Sequence, residues 1–160
     1  MAISYDFEIA ATLPARQVAE ILDHAAREAG LLDVPVSAQE WMEKGVTTHR
    51  GTFVQVFEEH PQPWHPVITD LGFTPTVSVS FRLDKFTDVR AQQDDMIRAV
   101  DALLAAIPGD ALLEYQSEVI WLLRRTGVLD LSEDDELWPQ DRLALVRRPY
   151  RRATHTFSED

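Results

Sequence analysis

The sequence predicts an α+β fold: a mostly antiparallel sheet of about five to six strands, covered by helices on one face to give a single pair of layers. Two observations carry this prediction. Several short segments alternate apolar and polar residues with a period of two, which is typical of strands with one polar face. Between them lie stretches in which apolar residues recur with the 3.6-residue period of a helix, and such helices would cover the apolar face of the sheet.

The length and composition favour one soluble globular domain. The chain has 160 residues, of which 45% are hydrophobic and 26% are charged, close to the averages for such domains. We therefore predict a single domain over residues 1–160, in which residues 147–160 form a C-terminal tail.

Five segments carry the strand signal. ISYDFEI (3–9) and TVSVSFRLD (76–84) alternate most regularly, and VTTHRGTFVQVFEE (46–59) predicts a hairpin that turns at its Arg-Gly pair. ALLEYQSEVIWLLRR (111–125) and GVLDL (127–131) predict two strands joined by a turn at their junction. The first of these two should bend midway, because it is long for one strand.

Capping residues mark four helices between the strands. Proline is tolerated in the first turn, serine and aspartate accept hydrogen bonds from the first free amides, and glycine favours the end of a helix. The predicted helices run from Pro14 to Gly30, over SAQEWMEKG (37–45), from Thr87 or Asp88 to Pro108, and from Pro139 onward.

The charge is strongly negative and unevenly distributed. The net charge is −12, but residues 1–141 hold 10 basic and 25 acidic side chains, a net of −15, and residues 142–160 hold the remaining five arginines. Such a body should repel nucleic-acid phosphates and attract basic partners. We expect the arginines of RRPYRR (147–152) to pair with acidic groups of this chain or of a second copy, so a homo-oligomer is possible and nucleic acid is not an expected partner.

The usual signatures of catalysis and of metal binding are missing from the sequence. There is no cysteine, no nucleophile elbow and no phosphate-binding glycine cluster. His49, His60, His65 and Asp70 lie near one another in the sequence but lack metal-ligand spacing. The sequence shows neither an export signal nor a membrane segment. We therefore predict a cytoplasmic protein that is not an enzyme, with no catalytic residue, no cofactor, no metal and no membrane association.

The connection HPQPWHPVITDLGFT (60–74), followed by Pro75, is unusual for a compact domain. It should be structureless but ordered, because its prolines restrict the free chain while its apolar residues provide anchors. Two interpretations stay open. Trp64 is a recognition element on a rigid loop, or Trp64 and Phe73 simply cover the core.

Three segments give the chain a family resemblance: VITDLGFTPTVSVSFRLDKF (67–86), QQDDMIRAV (92–100) and PYRRATHTF (149–157). In these it resembles bacterial immunity proteins of the swarming-inhibition type, which are numerous in actinobacteria. The resemblance runs along nearly the whole chain and implies a small cytoplasmic protein that binds and neutralises a cognate toxin. It implies no catalytic residue.

The leading hypothesis is therefore a non-enzymatic toxin-binding protein whose partner is a protein toxin of basic character. Acidic groups would contact the toxin and one aromatic side chain would anchor it. The predicted partner-binding residues are Trp64, Glu58, Glu59, Asp94, Asp95, Glu133, Asp134, Asp135 and Glu136.

Two other classes of function stay open. One is a small ligand-binding domain or enzyme that uses an apolar pocket between sheet and helices, with Trp64, Tyr115 or Trp121 at its mouth. The other is an oligomeric interaction scaffold in which the basic tail of one copy binds the acidic body of another.

Overall fold

A computed structural model describes residues 3–158 and shows one eight-stranded sheet with five helices. The strand order is β2-β3-β4-β1-β5-β6-β7-β8, and every neighbouring pair is antiparallel except β7 and β8. The predicted α+β class is thereby confirmed, with more strands than the five to six expected. The strands are β1 Ile3–Ile9, β2 Val46–Thr47, β3 Phe53–Glu58, β4 Val77–Leu83, β5 Ala111–Tyr115, β6 Val119–Arg125, β7 Val128–Leu131 and β8 Arg151–Arg152.

The helices begin where the sequence provides caps. The Ser37 hydroxyl accepts from the Glu40 amide at 3.2 Å and the Asp88 carboxylate accepts from the Ala91 amide at 3.0 Å, each satisfying a free donor of a first turn. The helices are α1 Ala15–Glu28, α2 Ala38–Glu43, α3 Pro66–Leu71, α4 Val89–Ala106 and α5 Gln140–Leu143. In the described part of the chain, no helix is both long and apolar enough to cross a membrane.

The main core lies between the sheet and the layer formed by α1, α2 and α4. Alternation in β1 directs Tyr5, Phe7 and Ile9 into this layer, and they are all buried. We call this side of the sheet the first face. Apolar burial here is the main stabilising contribution, at about 25 cal/mol for each Å² of apolar surface removed from water.

The opposite side of the sheet, which we call the second face, carries two cross-strand rows of side chains. Adjacent strands place these residues directly opposite one another, so each row crosses the sheet at right angles to the strands. One row is Phe57, Ser78, Glu8, Leu112 and Leu123, and the other is Gln55, Ser80, Asp6, Glu114 and Ile120.

Part of the second face is covered by a segment with its own small core. Val67 and Phe73 from the connection between β3 and β4 pack on Leu112, Ile120 and Leu123. The C-terminal tail adds Phe157 to this cluster, and the Ser158 amide donates to the Asp70 carboxylate at 2.9 Å. The predicted helices thus cover the first face, while the second face is covered over β5 and β6 by a short helix and the tail.

A β-bulge in the centre of the sheet decides which residues of β6 face the core. The pairing of β5 with β6 shifts from Leu113↔Leu122 to Glu114↔Ile120, which leaves Trp121 as the extra residue. Bulges of this kind bend a strand and redirect its side chains. Trp121 therefore turns into the main core and stacks edge-on against Tyr5 and Trp138, with ring centroids 5.1 and 6.0 Å away.

Two details of the sequence interpretation were wrong. The connection over residues 60–74 is not structureless, because His65 and Pro66 begin α3 and Gly72, at φ 79°, ends it. Residues 111–125 form two strands, since Gln116 and Ser117 adopt positive φ and make a tight turn. The helix predicted to start at Pro139 is present as the four-residue α5, with Pro139 as its N-cap.

The two aromatic residues of that connection differ in burial. Phe73 is buried in the small core of the second face, whereas Trp64 is 73% exposed. Trp64 therefore does not cover the core.

The arginines of the tail pair with acidic groups of the same chain. Arg151 forms a two-pronged interaction with Asp130 at 2.9 and 3.1 Å, and Arg152 lies 3.5 Å from Asp135. The Arg148 guanidinium lies 3.8 Å from the buried Asp101. We expected these arginines to pair with acidic groups of this chain or of a second copy. The structure shows pairs with acidic groups of the same chain.

Arg142 ties α5 to α4 from a buried position. Its guanidinium donates to Asp94 at 2.7 Å, to Gln93 at 3.0 Å and to the Leu137 carbonyl at 2.8 Å. It also lies over the Trp121 ring, 5.4 Å from the centroid.

We expect Arg142→Leu to lower the free energy of unfolding by about 3 kcal/mol, because it removes one partner of a buried ion pair and leaves acceptors without a donor. Arg90→Leu is the matched control, since Arg90 pairs with Asp141 at 3.2 Å in an exposed position and such pairs contribute about 0.5 kcal/mol. Urea unfolding monitored by tryptophan fluorescence measures both. Equal losses in the two variants would contradict a structural role for the buried pair.

Candidate partner-binding site

Three carboxyl groups meet at the centre of the second face. Asp6 and Glu8 come from the central strand β1, and Glu114 comes from β5, directly opposite Asp6. Glu8 is only 8% exposed and Glu114 only 4%. We call Asp6, Glu8 and Glu114 the carboxyl cluster.

The position of the cluster follows from strand alternation and from the bulge. Asp6 and Glu8 alternate with the core residues of β1, so they point to the second face. The bulge in β6 lets Leu113 and Glu114 keep their alternation in β5, so Glu114 points to the same side. Ser80 and Ser78 of β4 lie opposite Asp6 and Glu8.

Burial and mutual repulsion raise the pKa of each member of the cluster. For Glu8, burial is the larger cause and the charges of Glu114, Glu59 and Asp6 add to it, so its pKa rises to about 8. Burial, followed by the charge of Asp6, raises the pKa of Glu114 to about 7. Burial also raises the pKa of Asp6, and a hydrogen bond from Glu114 partly offsets this rise. In the hydrogen bond between the two, the Glu114 carboxyl is therefore the donor and Asp6 the acceptor.

The cluster lacks the arginine partners that other buried carboxylates of this chain have. Four other aspartates are buried, and each forms an ion pair with an arginine: Asp23 with Arg27, Asp95 with Arg50 and Arg98, Asp101 with Arg148, and Asp130 with Arg151. Among residues 3–158, no arginine or lysine lies within 4.0 Å of the carboxyl cluster. The imidazole of His65 approaches the cluster, with its Nε2 4.0 Å from a Glu8 oxygen.

The start of α3 fixes the orientation of His65. Its Nδ1 accepts from the Val67 amide at 3.2 Å as the N-cap of α3, so in the neutral ring the proton is on Nε2, the atom that faces Glu8. The preceding residue, Trp64, is exposed to solvent. The same helix cap therefore places an imidazole beside the cluster and follows directly on an exposed indole in the chain.

An aromatic residue also lies at the β3 side of the cluster. Phe57 is opposite Ser78 in the same cross-strand row as Glu8, and it is 40% exposed. Glu58 and Glu59 follow it in the chain, and Glu59 is close enough to raise the pKa of Glu8. The second face therefore combines buried acids, exposed acids and two exposed aromatic rings.

The predicted partner-binding residues lie in three separate places. Glu59 lies close enough to Glu8 to raise its pKa, Trp64 precedes His65 in the chain, and Glu58 is the last residue of β3. Asp94 and Asp95 lie on α4 in the helix layer, where they pair with Arg142, Arg50 and Arg98.

The third group, Glu133–Glu136, follows β7 and contacts the tail. The Glu133 carboxylate accepts from the Thr154 amide at 3.1 Å, and Asp134 caps the turn by accepting from the Glu136 amide at 2.9 Å. The Asp135–Arg152 pair completes these contacts.

Sequence reasoning did not identify the carboxyl cluster. Asp6, Glu8 and Glu114 occupy the polar positions of alternating strands, which predicts a solvated face. The missing information is the strand order, which puts β1 and β5 side by side at the centre, and the covering of this face by α3. The signal that was available is the pair of acids in ISYDFEI, the strand with the most regular alternation.

The proposed apolar pocket with Trp64, Tyr115 and Trp121 at its mouth does not bring these three residues together. Trp121 and Tyr115 both contact Tyr5 in the aromatic group of the first face. Trp64 lies on the other side of the sheet, exposed to solvent.

The fold and the site define an acidic α+β protein with an uncompensated carboxyl cluster on one face of its sheet. The chain belongs to the SitI3-like family, whose family model matches residues 3–142. This match confirms the predicted relationship to immunity proteins of the swarming-inhibition type, although the third resembling segment, 149–157, lies beyond the matched range. No curated protein sequence matches the chain significantly, and neither does any solved structure.

The raised pKa of Glu8 predicts a specific dependence of stability on pH. The folded protein binds the Glu8 proton up to about pH 8, whereas the unfolded chain releases it near pH 4.3. The stabilisation linked to this proton is thus complete below about pH 4 and is lost as pH rises through about 8.

We expect Glu8→Gln to be more stable than the unchanged protein by about 2 kcal/mol at pH 9, with a much smaller difference at pH 5. The control is Glu58→Gln, an exposed change at the end of β3. It should alter the free energy of unfolding by less than about 0.5 kcal/mol at both pH values. Chemical unfolding at the two pH values gives the answer. A Glu8→Gln variant that is less stable than the unchanged protein at pH 9 would show that the surrounding groups stabilise the ionised Glu8 carboxylate.

Proposed function

We propose that this protein is a non-enzymatic immunity protein that binds a cognate bacterial protein toxin in the cytoplasm and neutralises it by occupying its surface. The observation that carries the proposal is membership of the SitI3-like family over most of the chain. The fold is compatible with this role, because a broad sheet face with fixed side chains presents a preformed surface to a partner.

The charge of the protein supports a basic partner. With a net charge of −12, the surface attracts cationic molecules and accelerates their encounter. Three of the four arginines of the tail form ion pairs within the chain, which reduces the extent to which the tail offsets this attraction. Neutralisation of a basic toxin would therefore be fast at low ionic strength and slower as salt screens the charges.

Trp64, Glu58 and Glu59 form the part of the predicted contact set that lies together. Trp64 is held by an ordered, proline-rich connection, so little conformational entropy is lost when a partner covers it. We propose it as the aromatic anchor, with Glu58 and Glu59 as acidic contacts. Asp94, Asp95, Glu133, Asp134, Asp135 and Glu136 stay predictions. Several of them already pair within the chain, which favours the Trp64 region as the first contact.

One observation favours a second candidate function. Buried carboxyl groups whose pKa values are raised into the neutral range are characteristic of acid–base catalysis, and Glu8 and Glu114 fit that description. An enzyme would inactivate its toxin with turnover, whereas a binding protein acts one to one. The stoichiometry of protection therefore distinguishes the two candidates.

Co-expression with the product of an adjacent toxin-like reading frame tests the proposed function. We expect survival of the host, co-purification of the two proteins in a one-to-one complex, and loss of protection when toxin exceeds this protein. Protection by far less than one equivalent would support catalysis. Failure to protect against every neighbouring frame product would overturn the proposal.

Replacing Trp64 by alanine should weaken the toxin complex at least about tenfold, because a central aromatic anchor contributes about 2 kcal/mol or more. Phe86→Ala is the matched control: Phe86 is also an exposed aromatic, 87% accessible, but it lies beyond the opposite end of β4. Competition binding or surface plasmon resonance with the purified toxin measures both variants. An unchanged affinity for Trp64→Ala would remove Trp64 from the interface.

A further inference from the structure

We propose that the second face is the toxin-binding surface and that the carboxyl cluster is a receptor for one cationic side chain, arginine or lysine, of the toxin. The cation would lie over Asp6, Glu8 and Glu114, with Phe57 and Trp64 at its sides. This inference rests on the proposed function, and it adds the place of contact and the chemistry of the group that is bound.

The strongest support is the contrast between Glu8 and the other buried acids of the chain. Each of the four buried aspartates has an arginine of its own, and this is the usual way in which a buried carboxylate is stabilised. Glu8 is more than nine-tenths buried, and no donor within residues 3–158 hydrogen-bonds to it. The basic side chain that approaches it is the His65 imidazole, whose Nε2 lies 4.0 Å from a Glu8 oxygen, too far for a hydrogen bond. Within the described residues, Glu8 therefore has no arginine or lysine partner.

The rim of the site has the chemistry that recognises such a cation. Phe57, Ser78 and Glu8 occupy one cross-strand row on three adjacent strands, so Phe57 lies about 10 Å from Glu8. A guanidinium or ammonium group between them would meet carboxylates on one side and aromatic faces on the other. Both contacts are favourable, and arginine in particular combines two-pronged carboxylate bonding with stacking on aromatic rings.

An amino-acid side chain fits the site better than a metal ion does. Within the described residues, no three histidine or acidic side chains are arranged to hold a metal. The cluster also lies on a broad sheet face rather than in a narrow cavity, and its serine and glutamine neighbours provide further hydrogen-bonding groups for a guanidinium. A toxin segment that crosses the face would deliver the cation and cover the aromatic rim at the same time.

Binding of a cation should release protons. The charged and titratable groups that face Glu8 are Asp6 on its own strand, Glu114 on β5, Glu59 after β3 and His65 before α3. A bound arginine lowers the pKa of the three carboxyls. Affinity should therefore rise between pH 6 and pH 8.5, which is the opposite of the nearly constant affinity expected for exposed carboxylates that are ionised throughout this range.

A hexa-arginine peptide is a suitable probe, with hexa-citrulline as its neutral isostere. We expect hexa-arginine to shift the amide signals of Glu8 and Ser78 and the indole signal of Trp64 in nuclear magnetic resonance spectra, and hexa-citrulline to shift none of them. Calorimetry at pH 6 and pH 8.5 should show at least fivefold tighter binding at the higher pH, with proton release that depends on the buffer.

Two triple variants that each replace three carboxyl groups separate site binding from general attraction. Asp6→Asn/Glu8→Gln/Glu114→Gln should weaken hexa-arginine binding at least tenfold. Glu20→Gln/Glu28→Gln/Glu40→Gln, which removes three exposed carboxylates elsewhere, should weaken it less than threefold. Glu8→Gln alone serves where the triple variant is poorly folded. Equal weakening by the two triple variants, or signal shifts confined to other surfaces, would overturn the inference.

The same variants, co-expressed with the toxin, separate this inference from the proposed function. If the unchanged protein protects and the cluster variant loses both protection and the complex, the inference is supported. If both protect equally and form the complex, the cluster is not the receptor and the proposed function stands. If the unchanged protein does not protect, the proposed function itself fails.

Discussion

The structure depends on the two-sided character of its central strand. β1 pairs with β4 on one side and with β5 on the other, so its side chains cannot reach either edge of the sheet. Its apolar positions, Tyr5, Phe7 and Ile9, anchor the core beneath the helices. Its polar positions, Asp6 and Glu8, are held with equal rigidity at the centre of the other face. The alternation that builds the core is therefore also what fixes the carboxyl cluster.

Much of the fold could be predicted from local patterns, because those patterns report local geometry. The period-two alternation of β1 and β4 and the caps at Ser37 and Asp88 depend only on residues close in sequence. The errors occur where distant residues decide the outcome. The turn at Gln116 and Ser117 requires positive φ at two residues that do not favour it, and pairing across β5 and β6 imposes that conformation against local preference.

The candidate site was predictable only in part for the same reason. Trp64 could be identified because prolines and an aromatic residue in one connection are unusual in sequence. Its neighbours in space, Asp6 and Glu114, are far from it in sequence and occupy positions that a solvated strand would also fill with acids. What distinguishes them is the absence of an arginine partner, and that is a property of the assembled sheet. A net charge of −12 indicates that acids are in excess, but it cannot show which acids are left unpaired.

On the proposed role, the carboxyl cluster gives up local stability for binding. Directly opposed carboxylates repel one another, and burial strengthens that repulsion. The chain supplies arginines to four other buried aspartates. At the cluster no arginine is supplied, and burial together with the neighbouring acids raises the pKa of Glu8 and of Glu114. A partner that brings a cation would relieve this unfavourable arrangement of the carboxyls. The cluster would then contribute to the free energy of binding and not to that of folding. Hydrophobic replacements at these three positions would stabilise the free protein and remove the reason for a cationic partner to bind there.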